Sequence, residues 1–178
     1  MFKKILAAVT LSVMAALPVN ARVEEGTRPL IDLLESSGIP VAVNGAECDS
    51  GIYNGLYAFQ GMRRKIVLCP GETVDANDHA VVRHETWHAI QHCVNVARGT
   101  DTDTPIVEDT FRLMAEVQEV LSPSKIRAIQ RAYPRDQWLV EFEAFAAQEL
   151  YTADELAQLF KDVCTFEYAS QPTTQTYA

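Results

Sequence analysis

The chain is short of basic residues. Its 178 residues carry 15 Lys and Arg against 24 Asp and Glu, a net charge of -9. Nucleic acid and anionic membrane surfaces both demand basic patches, so neither is expected as a main partner. Repeats are absent, and low-complexity sequence is confined to the Thr/Gln/Ser-rich end, where residues 171–178 are expected to form a flexible tail. No pair of cysteines has the close spacing of a four-cysteine zinc site. The apolar run Ile5–Leu17 has 13 residues, too few for a bilayer, which takes roughly 20. What is present fits a folded domain: 48% of residues are hydrophobic and 22% charged. The length suits one domain, expected over 22–170.

The start of the chain has the layout of a secretory signal peptide. Lys3 and Lys4 precede the apolar run, and Pro18 and Val19-Asn20-Ala21 follow it, so cleavage is expected after Ala21. The expected location is therefore secreted or periplasmic, with no stable membrane insertion after cleavage. An uncleaved anchor is the alternative. Export changes what the cysteines mean. Cys48, Cys69, Cys93 and Cys164 form an even set for an oxidising compartment. Cys48 and Cys69 flank an expected hairpin, so Cys48–Cys69 with Cys93–Cys164 is the favoured pairing, against free buried thiols.

Turn and capping signals divide the rest. Thr27 is a candidate cap for a helix over 28–37, with Pro29 in its first turn and Gly38 past its end. Residues 39–43, 52–59 and 63–69 are β-rich, the last two separated by Gln60-Gly61-Met62. Helices are expected from Asp75 or Asp78 to about Ala97, from Thr104-Pro105 to Leu121, from Ser122-Pro123 to Ala132, and from Asp136 to Leu150. A fifth is opened by a Thr152/Glu155 capping box and ends near Val163. The fold class is α+β: a small antiparallel sheet followed by a helical bundle.

The long helix contains His84-Glu85-Thr86-Trp87-His88, the HExxH pattern. Histidines four apart lie one turn apart on the same face, so both rings can reach one ion. Zinc accepts neutral imidazole. Glu85, beside the first histidine, is placed to reach a zinc-bound water, take its proton and hand it to a leaving amine. Chance produces this pattern in under about 1% of chains of this composition, so it is read as a site. Val81, Val82, Trp87, Ala89, Ile90, Val94 and Val96 surround the helix, which marks it as buried and central.

Catalytic zinc needs a third protein ligand. His92 lies about 12 Å from His84 along an unbroken helix, too far to share an ion. No glycine follows His88 before Gly99 to turn the chain back, so His92 is expected to be structural. Asp101 and Asp103 read as a solvated loop. The segment Trp138–Ala147 has an apolar stripe with Glu143 nearer its centre than Glu141, so Glu143 is favoured and Glu141 kept as the alternative.

These residues together resemble the gluzincin metallopeptidases: HExxH on a central helix and a downstream Glu, in Glu141-Phe142-Glu143-Ala144, on a second. The resemblance implies a zincin-like fold with His84, His88 and Glu143 as zinc ligands and Glu85 as general base. It further implies a Tyr or His steadying the intermediate, with Tyr57, Tyr133, Tyr151 and Tyr168 as candidates. By the same analogy 63–69 is the edge strand that pairs with substrate. The expected function is zinc-dependent hydrolysis of peptide bonds in a peptide or protein substrate. The alternatives are a non-catalytic, disulfide-stabilised binding protein and a zinc hydrolase of another bond. Nothing in the residues sets an oligomeric state.

Overall fold

A computed structural model describes residues 26–50, 54–60, 63–69, 76–100, 102 and 104–168. The expected leader with its cut after Ala21, the tail 171–178, Asp75, Asp101 and Asp103 lie outside them. Among the described residues there are six α-helices and one three-stranded sheet: α1 (Arg28–Ser36), β1 (Val41–Val43), β2 (Gly55–Gln60), β3 (Arg63–Leu68), α2 (Ala76–Ala97), α3 (Thr110–Val120), α4 (Pro123–Ala132), α5 (Trp138–Leu150) and α6 (Ala153–Tyr168). Short 3-10 turns cover Ala46–Ser50 and Arg135–Gln137. The α+β class therefore holds. No helix among the described residues is long and apolar enough to cross a membrane.

The sheet is mixed, which corrects the expected antiparallel one. Its order is β1-β3-β2. β2 and β3 form the expected antiparallel pair, Gly55 opposite Leu68 through Gln60 opposite Arg63. β1 runs parallel to β3, with Val41 opposite Ile66. The cause is local. Asn44 adopts a left-handed φ of 52° and its N–H donates to Leu68 O, so the chain leaves β1 across the end of β3 instead of doubling back. The Cys48–Cys69 disulfide then ties that crossing to the end of β3. A second correction follows: β3 is the central strand, so 63–69 offers no edge, and β2 is the edge on the side of α2.

Helix boundaries follow their caps. Ser122 Oγ accepts from Lys125 N, and Thr152 and Glu155 form the reciprocal capping box. Thr27 departs from its expected role: its hydroxyl makes no cap and lies 2.8 Å from His79 Nδ1, joining the start of α1 to α2. α3 begins at Thr110, not at 105, because Asp109 caps it through Phe111 N and Arg112 N. The preceding segment is held extended by α2: Asn95 Nδ2 donates to Thr104 O, and Arg98 to Ile106 O.

Two apolar clusters meet along α5. One joins α1, the sheet, α2 and α6 through Leu34, Ile66, Ile90, Leu156 and Phe160. The other joins α3, α4 and α5 through Leu113, Val117, Ile129 and Phe142. Cys93–Cys164 pins α6 to α2 inside the first, as the favoured pairing expects. It closes 71 residues and Cys48–Cys69 closes 21. Chain entropy then assigns about 4 kcal/mol to the first and about 3 to the second. Replacing both Cys93 and Cys164 by Ser is expected to lower the melting temperature by roughly 10 °C, more than the matching Cys48/Cys69 double variant. Thermal unfolding of the two variants checks the order.

Candidate metal centre

α2 and α5 pack side by side, and each brings polar groups to the seam. His84 and His88 stand one turn apart on α2, and Glu141 faces them from the first turn of α5. The Nε2 atoms of the two imidazoles are 3.1 Å apart. Glu141 Oε2 lies 3.2 Å from His84 Nε2, and its Oε1 lies 3.6 Å from His88 Nε2. Donor atoms about 2.0–2.1 Å from a tetrahedral zinc sit about 3.3–3.4 Å from one another. The three observed separations bracket that value. Glu141 Oε2 is buried, with His84 Nε2 as its near neighbour. His84 Nδ1 has no hydrogen-bond partner among the described residues. The group could hold a metal ion, and two imidazoles with one carboxylate suit zinc and several other divalent metals.

The carboxylate that joins the two histidines in this group is thus Glu141, and the favoured Glu143 lies outside it. Its carboxylate turns away to hold four donors: Ile106 N at 2.8 Å, Val107 N at 2.9 Å, Gln91 Nε2 at 2.8 Å and Trp87 Nε1 at 3.3 Å. A buried carboxylate is stable when hydrogen-bonded in this way. The same contacts keep residues 106–107 out of α3. The stripe argument failed because α5 is sandwiched: Val140 to Ala144 and Ala146 to Gln148 are all buried, so its wheel has no single apolar side.

No protein-family model, curated protein or solved structure matches this chain.

Electrostatics separate the two carboxylates flanking the histidines. Burial opposes the charge of Glu141, but close contact with His84 and His88 outweighs it and lowers its pKa to about 2. Glu85 goes the other way. Burial raises its pKa, Glu141 adds to the rise, and His84, His88 and a backbone hydrogen bond from Tyr57 only partly oppose it. One carboxylate is a fixed charge and the other holds a proton more readily than an exposed Glu.

β2 determines where Glu85 sits. A Cβ at Gly55 would lie 2.4 Å from Val81 Cγ1 and 2.7 Å from Glu85 Oε1, so only glycine lets the strand approach α2 this closely. Gly55→Ala is expected to destabilise by about 1–3 kcal/mol through overpacking, read from denaturant unfolding. His92 lies outside the His84/His88/Glu141 group: its Nδ1 is 3.1 Å from Tyr57 Oη and its ring packs edge-on to Phe59. Tyr151 stacks on Trp87, and Tyr133 lies edge-on to Phe145, which packs on His84 at 4.4 Å. The side chain of Tyr168 lies outside the described residues. Sequence reasoning missed Gly55 and Gln91. A glycine opening a strand, and a Gln three residues after a ligand on one helix face, were the available signals.

Proposed function

We propose that the chain is a zinc-dependent hydrolase of peptide bonds, gluzincin-like in its ligand order, with His84, His88 and Glu141 holding the ion and Glu85 as general base. The observation that carries this is the convergence of the Glu141 carboxylate on two imidazoles one turn apart, with the raised-pKa Glu85 beside them. A bound zinc would supply Lewis acidity, polarising a carbonyl and lowering the pKa of a water it holds. Glu85 then accepts a proton at its carboxylate and returns it to the departing amine. Its burial suits that role, because the neutral carboxyl is a stable holding state between the two transfers.

The edge strand supports a peptide substrate. Cys69 N donates to the facing Asn54 O, so in this antiparallel register the backbone groups of Gly55, Tyr57 and Phe59 point away from β3. The Tyr57 N–H is held by Glu85, so an extended peptide would pair further along this edge, at Phe59. The two disulfides are consistent with an extracellular protein, and export through the N-terminal leader completes the reading.

A second reading has its own support. His84, Glu85, His88 and Glu141 are only 5%, 4%, 7% and 8% exposed, which suits an ion that braces a non-catalytic binding protein. The mature chain incubated with a mixture of denatured proteins separates the two. Fragments that form with zinc, vanish with chelator and return when zinc is restored support the hydrolase. A zinc-loaded chain that cuts nothing favours the binding protein.

A further inference from the structure

We propose that Gln91, polarised by Glu143, is a positioning residue that fixes the tautomer of His88 and so presents its Nε2 lone pair to the metal. The inference rests on the metal-site reading of His84, His88 and Glu141 but concerns residues outside that set.

The argument starts at Glu143. Its carboxylate accepts from the backbone N–H groups of Ile106 and Val107 and from Trp87 Nε1. An ionised carboxylate is an acceptor only. Gln91 faces it at 2.8 Å and also faces Val140 O at 3.1 Å. Two acceptors on one side of a fully buried amide leave no choice of orientation: the NH2 must point to them. The amide oxygen must then point the other way, and it lies 2.8 Å from His88 Nδ1. An amide oxygen can only accept, so Nδ1 carries the proton. In a neutral imidazole the other nitrogen then bears the lone pair. That nitrogen, Nε2, is the one facing His84 and Glu141. The order Glu143–Gln91–His88 therefore has a direction set by charge at one end and delivered as a lone pair at the other. It also gives a role to the buried carboxylate at 143, which lies outside the His84/His88/Glu141 group.

Metal-bound histidines commonly depend on such outer partners, and losing one weakens binding about 10–100-fold. Glu143→Gln keeps an oxygen at the Oε2 position, where Gln91, Ile106 N and Trp87 Nε1 all donate, and turns its NH2 to the side that only Val107 N faces, so it removes the charge while Gln91 keeps its orientation. Gln91→Met removes the acceptor altogether.

The test has two readouts. Zinc affinity by chelator competition is expected to fall about 10–100-fold in Gln91→Met and by less in Glu143→Gln, with cooperative melting retained. The 15N shifts of the His88 ring in the metal-free protein are expected to show Nδ1–H in wild type and in Glu143→Gln, and a mixture of the two tautomers in Gln91→Met. A Gln91→Met zinc affinity within threefold of wild type, or a wild-type His88 with a bare Nδ1, overturns the proposal. If Glu143→Gln fails to fold, the affinity of Gln91→Met and the wild-type spectrum still decide it. If wild type binds no zinc, the metal reading fails, while the ring spectra still judge the order of hydrogen bonds by themselves.

Discussion

Glu141→Ala is expected to take the purified mature protein from one zinc ion per chain to near none after dialysis. Two imidazoles remain, and sites of this kind ordinarily need three protein ligands. Glu141 also brings the only formal negative charge in the ligand set, held ionised well below the usual carboxylate range. Thermal melting reports the same event independently. At zinc about 100 times its dissociation constant, binding adds about 2.7 kcal/mol to the wild type, or roughly 5–10 °C in a domain of this size. Chelator should remove that increment from wild type and change nothing in Glu141→Ala. Glu143→Gln, by contrast, should bind more weakly yet still reach one ion at saturation. A Glu141→Ala protein that keeps its ion and its chelator-sensitive melting would return the ligand role to another residue.

The contrast between Glu141 and Glu143 shows what the residues alone reveal. His84, Glu85 and His88 were legible because four-residue spacing on a helix is a purely local property. The β2–β3 hairpin, the Ser122 and Thr152 caps and both disulfide pairs were legible for similar reasons: each rests on short-range geometry or on a small set of options. The carboxylate that faces them was not. Choosing between two carboxylates two residues apart depends on which neighbours surround α5, and α5 has partners on opposite sides. The late start of α3 has the same origin, since Glu143, Asn95 and Arg98 hold residues 104–107 from other elements. β1 also resisted sequence reading: a three-residue strand carries no sign of whether it will pair with the next strand or the one after it.

Glu85→Gln should separate function from stability. It removes the proton acceptor while preserving size and most packing, so kcat/KM for peptide cleavage is expected to fall about 10²–10⁴-fold with zinc content unchanged. The same change should make the metal-free protein more stable at neutral pH. Burial raises the Glu85 pKa in the folded chain above its unfolded value. The unfolded chain therefore gives up this proton more easily, and stability falls as pH rises from the ordinary carboxylate value to the folded one. Above that the penalty is constant, and below the unfolded value it is absent. Gln has nothing to titrate. Its melting temperature should exceed that of wild type at pH 7, and the two should converge under acid conditions where Glu85 is protonated in both states. Site strain of this sign is expected where activity and stability compete. Cleavage within tenfold of wild type by zinc-loaded Glu85→Gln would remove the general-base role. An equal melting temperature at pH 7 would mean that water or a cation already relieves the buried charge.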